Sequence, residues 1–374
     1  MKKWYFAHAS LFFVICLFNS CGLVGRLSKL APIELIVLDQ KTLPGNIRFQ
    51  DTQVGGLSGI DYDPTQDCYY LISDDRSQQQ PARYYTARIQ ISNRSIDSIQ
   101  LLRVDTLRDR QGRPYGPRSV DPEAIRFDAL SGFRVWTSEG ERNPYTGRMT
   151  NPSVNLINQR GFQLDSIAVP EHLQVYRTER GSRDNGTLEA LSFSPDYRQI
   201  WVGMEEPLIE DGGRIDTNDN SSYVRLLAFD RFSKQLRAEY AYQLEKVAHT
   251  PQPANGFRIN GVSEILFLDS LRLLVMERSF STGTRSSTVR IFLASLEGAT
   301  PIQNYSLKDQ PEVKPLTKRL LLNTDKLGWH VDNLEGMCWG PRLPNGNRSL
   351  IIVSDDNFSN IQETQFWLME LKEK

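Results

Sequence analysis

One pattern recurs five times along this chain and constrains its fold more than any other feature of the sequence. Each copy has a turn signal of Gly, Asp or Asn, a short strand-like run, a second turn, and an apolar run that ends in acidic residues. The copies follow one another at steps of about 65, 66, 74 and 72 residues, a spacing typical of repeat architectures. The apolar positions that match between the copies are Ile60, Ile125, Leu191, Ile265 and Met337.

Further strand-like runs lie between these cores, for example at 84–91 and 98–107 after the first copy. They are rich in β-branched and aromatic residues, and no convincing amphipathic helix interrupts them. The sequence therefore predicts an all-β fold, a β-propeller of four-stranded antiparallel blades. Five blades are visible, and residues 297–330 leave room for a sixth. We expect the N-terminal strand at 33–40 to complete the last blade and remove its open edge.

The N-terminus differs from the rest of the chain. Two lysines precede an apolar stretch centred on residues 11–18, which is too short to span a bilayer and is typical of a signal peptide over 1–20. "FNSC" resembles a bacterial lipobox, although Phe18 stands where Leu is usual, so we expect lipidation at Cys21, with plain secretion as the alternative. Residues 21–32 would then be a tether and 33–374 the propeller. A lipid at Cys21 predicts attachment to a membrane surface of the cell envelope, in the periplasm or at the outer membrane.

The formal net charge is −1, so no basic surplus suggests a nucleic-acid partner. We expect a monomer. Beyond the leader, only Cys68 and Cys338 remain. They could pair in an oxidising compartment or stay as buried thiols, and two cysteines are too few for a zinc cluster.

The acids of the repeat suggest a site. In a propeller, the start of each innermost strand and the end of the second strand meet at one rim of the channel. Crowded carboxylates raise one another's pKa unless a cation neutralises them, and calcium prefers such oxygen ligands. The sequence therefore predicts a Ca²⁺ site, although such acids can also cap turns or pair with arginines of the next blade. The predicted metal ligands are Glu123, Glu189, Glu335, Glu139, Glu277 and Asp355.

Other residues near the predicted rim have chemistry suited to catalysis or to substrate binding. Arginines suit planar contacts with phosphate or carboxylate groups, and we expect four of them to bind substrate. "GGLSG" (55–59) lacks the second Gly of a G-x-S-x-G elbow, which argues against Ser58 as a nucleophile. The candidate catalytic residues are Glu205, Asp74 and His330. The candidate substrate-binding residues are Arg76, Arg126, Arg142 and Arg278.

With these residues identified, the chain resembles the phytase-like family described as "esterase-like activity of phytase", over roughly residues 45–372. The resemblance rests on the combination of "GGLSGIDYD", "DPEAIRF", "NGTLEALSFSPD", "DNLEGMCWG" and "IIVSDDNF". It implies an exported propeller with phosphoesterase or esterase activity, often linked to calcium, acting on a small anionic or ester substrate. The alternatives are a non-catalytic propeller that binds a ligand or protein, and a hydrolase of lactones or sugar acids.

Overall fold

The computed structural model describes residue 1 and residues 32–302, 306–308 and 312–373. The chain divides into two compact units, Met1–Pro32 and Ile33–Lys374. The predicted signal peptide, the tether up to residue 31 and Cys21 lie outside the described residues. Within the described ranges, no helix is long and apolar enough to cross a membrane.

The unit Ile33–Lys374 is built almost entirely of antiparallel strands. Before the first blade come β1 (Ile33–Thr42), β2 (Arg48–Phe49) and β3 (Thr52–Gln53). Blade one consists of β4 (Leu57–Asp63), β5 (Cys68–Ser73), β6 (Arg83–Ser92) and β7 (Ser95–Thr106). Blade two consists of β8 (Pro122–Phe127) and β9 (Arg134–Ser138), then a separate hairpin of β10 (Glu141–Asn143) and β11 (Arg148–Thr150), then β12 (Ser153–Ile157) and β13 (Gln163–Ile167).

The remaining blades follow the same order from the axis outwards. Blade three consists of β14 (Leu188–Phe193), β15 (Gln199–Met204), β16 (Tyr223–Asp230) and β17 (Leu236–Gln243). Blade four consists of β18 (Arg258–Phe267), β19 (Arg272–Ser281), β20 (Thr288–Ser295) and β22 (Thr317–Asn323). Between β20 and β22 in the chain lies β21 (Pro301–Ile302), which pairs with β17 of blade three. Blade five consists of β23 (Asn333–Trp339), β24 (Arg348–Asp355), β25 (Gln365–Glu373) and the N-terminal β1. Two short 3₁₀ helices span Glu171–Leu173 and Thr324–Lys326.

These sheets form the predicted five-bladed propeller. The described part of residues 297–330 holds no sixth blade, because β21 adds a fifth strand to blade three and β22 is the outer strand of blade four. The ring closes as expected: β1 pairs with β25, from Ile33 opposite Glu373 to Thr42 opposite Gln365. Because β1 supplies the outer strand of the last blade, the first and last parts of the chain share one sheet.

Five hydrophobic clusters hold the blades together, and each joins two adjacent blades. Between blades one and five, for instance, Ile60 and Leu71 lie in one cluster with Val353 and Phe366. The inner strands meet around the axis, where β4 contacts β8 and β23 while β14 contacts β8 and β18. Burial of both faces of a blade explains why the second strands β5 and β9 are buried throughout.

Aspartate side chains stabilise the turns that join the first and second strands of blades one, two and four. The carboxylate of Asp63 accepts a hydrogen bond from Thr65 N at 2.8 Å, and Asp128 and Asp269 make equivalent bonds to Leu130 N and Leu271 N at 3.0 Å. These are turns that an Asp side chain stabilises through its own backbone. Acids at this end of the blades are therefore structural.

Candidate functional site: an axial carboxylate cavity

A β-bulge recurs at one place in all five inner strands. The pairing with the second strand skips a residue between Leu57 and Gly59, and it skips residues at the matching point of every other blade. A bulge re-aims a side chain and strengthens the local twist. The residues at the bulge are Ser58, Glu123, Glu189, Ser263 and Glu335. The three glutamates predicted as inner ligands therefore share one local geometry.

The second strands deliver another ring of side chains to the same rim. In the last blade the residue of this ring is Asp355, which pairs with Asn333. In the first three blades the acid stands three residues after the second-strand partner of the matching apolar position; these acids are Asp74, Glu139 and Glu205. In blade four this position is Arg278, which pairs with Gly261. Glu277 is its neighbour and points the other way, because successive side chains of a strand face opposite sides. The second ring thus contains four acids and one arginine.

Glu277 is not brought to the cluster, contrary to its prediction as a metal ligand. Its Oε1 accepts hydrogen bonds from Tyr242 Oη at 2.8 Å and Lys318 Nζ at 2.7 Å. Its Oε2 accepts from Glu245 N and Asn260 Nδ2, both at 2.9 Å. The four bonds and the ammonium charge satisfy this buried carboxylate, so it has a structural role between blades three and four.

The two rings enclose a cavity of about 610 Å³ at the axis. Its floor is acidic, and its cationic lining residues are Arg76, Arg278, Arg285 and, when protonated, His330. The acidic lining residues are Asp74, Glu123, Glu139, Glu189, Asp332, Glu335 and Asp355. Blades one, two, three and five all contribute carboxylates, so only the closed ring assembles this charge.

Within the described ranges, two groups of carboxylates are close enough to share a cation. Glu123, Glu189 and Glu335 each place an oxygen within 4.8 Å of the others, and so do Asp121, Glu123 and Glu139. Glu123 belongs to both groups. Asp121 was missed from the sequence, although it stands two residues before Glu123, the same offset at which Asn333 precedes Glu335. That shared offset is the signal that would have identified both residues.

Arg278 neutralises part of the cluster. Its Nη2 donates to Glu205 Oε1 at 2.7 Å, its Nη1 lies 3.2 Å from Glu335 Oε1, and it also donates to Asn333 Oδ1. Asn333 in turn donates to Glu335 Oε1 at 2.8 Å. Glu205, a predicted catalytic residue, is buried and holds this arginine in place.

Arg76 neutralises a carboxylate of the cluster in the same way, next to blade two. Its Nε donates to Asp121 Oδ1 at 2.7 Å and its Nη2 to Asn185 Oδ1 at 2.6 Å. Next to it, Glu139 Oε1 accepts a hydrogen bond from Gly186 N at 2.8 Å and another from Thr187 N. The cluster therefore has ordered partners at its edges.

The centre of the cluster lacks such partners. Oδ1 of Asp74 and Oε2 of Glu189 are buried, and neither has a hydrogen-bond partner among the described residues. A buried carboxylate oxygen without a donor is costly, because the group has lost its water and gained nothing. Hard cations such as Ca²⁺ are bound by oxygens of this kind, so the residues present fit a divalent cation.

Burial, with mutual repulsion added, raises the pKa of these carboxyls. The pKa of Glu139 rises to about 8, first because it is desolvated and then because Asp121 and Glu205 lie nearby. Burial raises the pKa of Asp355 to about 7, against a hydrogen bond from Asn357 N that lowers it. Burial and the neighbouring acids raise the pKa of Glu123 and Glu189 well above the usual range. Without a cation, several of these groups hold protons near neutral pH.

Two predicted substrate-binding arginines lie elsewhere. Arg126 is buried in the axis beneath the cavity, where its Nη2 lies 2.6 Å from Glu264 Oε2 and its Nη1 donates to Ile60 O at 2.7 Å. Arg142 donates to Tyr176 O and Thr178 O, both at 2.9 Å, and does not line the cavity. Both side chains are used in structural contacts.

His330 lies at the mouth of the cavity, with its side chain 40% exposed. Its Nδ1 is 2.9 Å from Ser286 Oγ, and its Nε2 is 3.7 Å from Asp332 Oδ2. The histidine is thus near the mouth and away from the carboxylate floor. Cys68 and Cys338 are both buried and free, so of their two predicted states they adopt the unpaired one.

The family model for "Phytase-like: Esterase-like activity of phytase" matches residues 52–358 of this chain. This range includes every cavity residue named above. No curated protein matches the sequence.

Solved structures show distant similarity. The periplasmic gluconolactonase PpgL of Pseudomonas aeruginosa is 12% identical over 84% of this chain and 84% of its own, with a TM-score of 0.37. The alpha-L-arabinofuranosidase from Lactobacillus brevis is 8% identical over 84% of this chain and 90% of its own, with a TM-score of 0.44. The bifunctional GH43-CE protein of Bacteroides eggerthii is 10% identical over 87% of this chain, with a TM-score of 0.44, and this chain covers 34% of its length. At these values nothing about activity is inferred from the similarity.

Proposed function

Because this chain belongs to the phytase-like family, described by its esterase-like activity of phytase, we propose that it is an extracytoplasmic hydrolase of ester bonds that acts at the axial cavity. Phosphoesters and carboxylic esters are the candidate substrates. The observation that supports this most is the convergence of carboxylates from four blades on one cavity, where two buried oxygens have no donor among the described residues. Clustered groups with perturbed pKa values in a cavity are typical of reaction sites.

We propose Ca²⁺ as the cofactor. Glu123, Glu189 and Glu335 would hold it, with Asp121 and Glu139 beside them, since these carboxylates lie within ligand distance of one another. When bound, a cation of this kind polarises an ester oxygen and lowers the pKa of bound water. Asp355 and Asp74 extend the carboxylate set towards blades five and one.

The chain's own residues can handle the protons and the orientation of the substrate. Asp74 Oδ1 has no donor within the part of the chain that the structure describes, and it is available to accept a proton from water at the floor. Glu139 accepts hydrogen bonds from Gly186 N and Thr187 N, which hold its carboxylate beside Glu123 at the floor. Arg278 reaches the cavity while Glu205 holds its guanidinium, so it can orient an anionic ester group. His330, at the mouth, contacts what enters.

The test is a calcium titration combined with a panel of phosphoesters and carboxylic esters. We expect stoichiometric uptake of Ca²⁺ by calorimetry, and turnover that chelator abolishes. Glu123→Gln removes the carboxylate shared by both groups, and it should reduce turnover about 100-fold. Glu297→Gln, at an exposed position on the far turn of blade four, is the matched control. No calcium uptake, together with parental turnover by Glu123→Gln, contradicts the proposal.

A second candidate is a non-catalytic propeller that captures a ligand at this cavity. The ion pairs of Arg278 with Glu205 and Glu335 favour it, because they neutralise part of the cluster without any cation. Calcium uptake without turnover of any ester would support this second function over hydrolysis.

We also propose that the protein is exported and anchored by a lipid on Cys21, which rests on the leader sequence alone. The expected result is a mature protein that begins with a lipidated Cys21 and sediments with membranes. Cys21→Ser should move it to the soluble fraction of the envelope. A membrane-bound Cys21→Ser variant would contradict the anchor.

A further inference from the structure

Blade four is built differently from the others on the cavity side. Its inner strand β18 begins five residues before Ser263, whereas in the other blades the inner strand begins one or two residues before the matching position. At about 3.3 Å per residue, the extension amounts to roughly 10 Å. The β18–β19 hairpin therefore rises above the rim and forms one wall of the mouth.

The wall is apolar where it faces the cavity. Ile259 pairs with Phe280, and the ring of Phe257 lies 6.4 Å from that of Phe280, all three being lining residues. Ile361, on the loop between β24 and β25, adds a fourth apolar side chain to the lining. Phe257 is 56% exposed and Ile361 is 90% exposed. Large apolar side chains this exposed at the mouth of a cavity are typical of a surface that contacts a ligand.

The charge of the cavity restricts the ligand further. Among the described residues, seven acids line the cavity against three arginines. Two of these arginines already have acidic partners, Arg76 with Asp121 and Arg278 with Glu205 and Glu335. A polyanion would bring several charges to a floor whose spare charge is negative, which costs free energy even beside a bound cation.

We propose that the substrate is a monoester with one bulky apolar group, aryl or long alkyl, and a single anionic or neutral reacting centre. The apolar group lies on the wall of Phe257, Ile259, Phe280 and Ile361, and the reacting ester faces the carboxylate floor. This inference rests on the proposed function, and it selects among esters by excluding polyphosphorylated ones. The family description names phytase, whereas two of the three arginines that line this cavity are already paired with acids, which leaves a polyphosphate one arginine, Arg285.

The test measures binding, so that it does not depend on turnover. Three probes are titrated into the full-length protein with Ca²⁺ present: phenylphosphonate, methylphosphonate and inositol hexakisphosphate. We expect phenylphosphonate to bind about tenfold more tightly than methylphosphonate, as burial of part of a ring predicts, and inositol hexakisphosphate to bind more weakly than phenylphosphonate. In the double variant Phe257→Ser/Ile361→Ser, the affinities for phenylphosphonate and methylphosphonate should become nearly equal. Phe232→Ser, 72% exposed on the opposite face, should keep the parental ratio.

The outcomes separate this inference from the proposed function. Tightest binding of inositol hexakisphosphate, or an aryl preference that survives in the wall variant, overturns the inference even if esters are hydrolysed. Loss of the preference in the wall variant supports it even if no ester is turned over, in which case the proposed hydrolysis fails alone. Because Phe257 and Ile361 are both exposed, the melting temperature of the double variant should match that of the parent. A match excludes misfolding as the cause of a lost aryl preference.

Discussion

Two sets of buried charges occupy the propeller axis, and they differ in how their charges are satisfied. Beneath the cavity, Glu264 lies 2.6 Å from Arg126 and accepts hydrogen bonds from Leu191 N at 2.9 Å and Ile265 N at 3.0 Å. Arg126 also donates to carbonyls of blades one and five. This pair therefore ties together strands from all five blades.

The cavity floor shows the opposite arrangement. Glu189 occupies the bulge position of blade three, and the next residue, Ala190, aligns with Glu264 of blade four. Unlike Glu264, Glu189 has a buried oxygen, Oε2, with no hydrogen-bond partner among the described residues. Glu123, nearby, faces other carboxylates. The comparison teaches that buried charge in this fold is structural where donors are built around it, and available for a ligand where they are not.

The largest expected effect comes from breaking the structural pair. Arg126→Met leaves Glu264 buried without its cation and removes the donor to four carbonyls, so the free energy of unfolding should fall by about 3–5 kcal/mol in urea titrations. Adding Glu264→Gln, which keeps an acceptor for Leu191 N, should recover part of this loss. A loss below about 1 kcal/mol in Arg126→Met would remove the structural half of the comparison.

Adjacent acids in blade one provide a second test. Asp75 lies 2.8 Å from Arg83 and accepts hydrogen bonds from three backbone amides, whereas Asp74 has a buried oxygen without a donor. Asp75→Asn should therefore cost about 2 kcal/mol of unfolding free energy and leave calcium uptake unchanged. Asp74→Asn should weaken calcium uptake at little cost in stability. Equal effects of the two variants on both measurements would refute the distinction.

In the cavity, removing a charge should stabilise the protein, whereas at Arg126 and Asp75 it should destabilise it. Glu189→Gln relieves repulsion, so in chelator at pH 8 the unfolding free energy should rise by about 1 kcal/mol. The same change should lower calcium affinity at least tenfold, since a carboxylate ligand is lost. The measurements are urea unfolding and calorimetry. Destabilisation in chelator would mean that Glu189 has a protein partner after all.

The smallest expected effect is a dependence of stability on pH. The folded pKa values of Glu139, about 8, and Asp355, about 7, lie above their unfolded values, so the folded state binds more protons between about pH 4 and 8. In chelator the melting temperature should therefore fall by several degrees as the pH rises from 5 to 8. Calcium should reduce that slope, because it replaces the protons. A flat or rising profile in chelator would contradict the raised pKa values.

Much of this architecture could be predicted from local patterns. The repeated apolar runs and turn residues predicted five blades, and the open edge of the last blade predicted closure by the N-terminal strand. Glu123, Glu189 and Glu335 were predicted because one repeat position carries all three. The structure brings all three together, at a recurring bulge that the sequence does not reveal.

Other site residues could not be placed in this way. Glu277 and Arg278 are neighbours, and a shift of one residue in the alignment of blade four exchanges which of them faces the axis. Arg126 lies only three residues beyond Glu123, but in an extended strand this is about 10 Å, enough to put it beneath the cavity. Asp121 begins the motif "DPEAIRF" but precedes β8 (Pro122–Phe127), so the repeat position that carries the glutamates does not identify it.

The sequence by itself determined the kind of fold and which end of each blade would be acidic, because strand periodicity and turn chemistry act over a few residues. Only the tertiary structure decided which acids acquired partners. Partners such as Arg126 for Glu264 or Lys318 for Glu277 come from distant strands, and whether a donor reaches a carboxylate depends on how five blades pack around one axis.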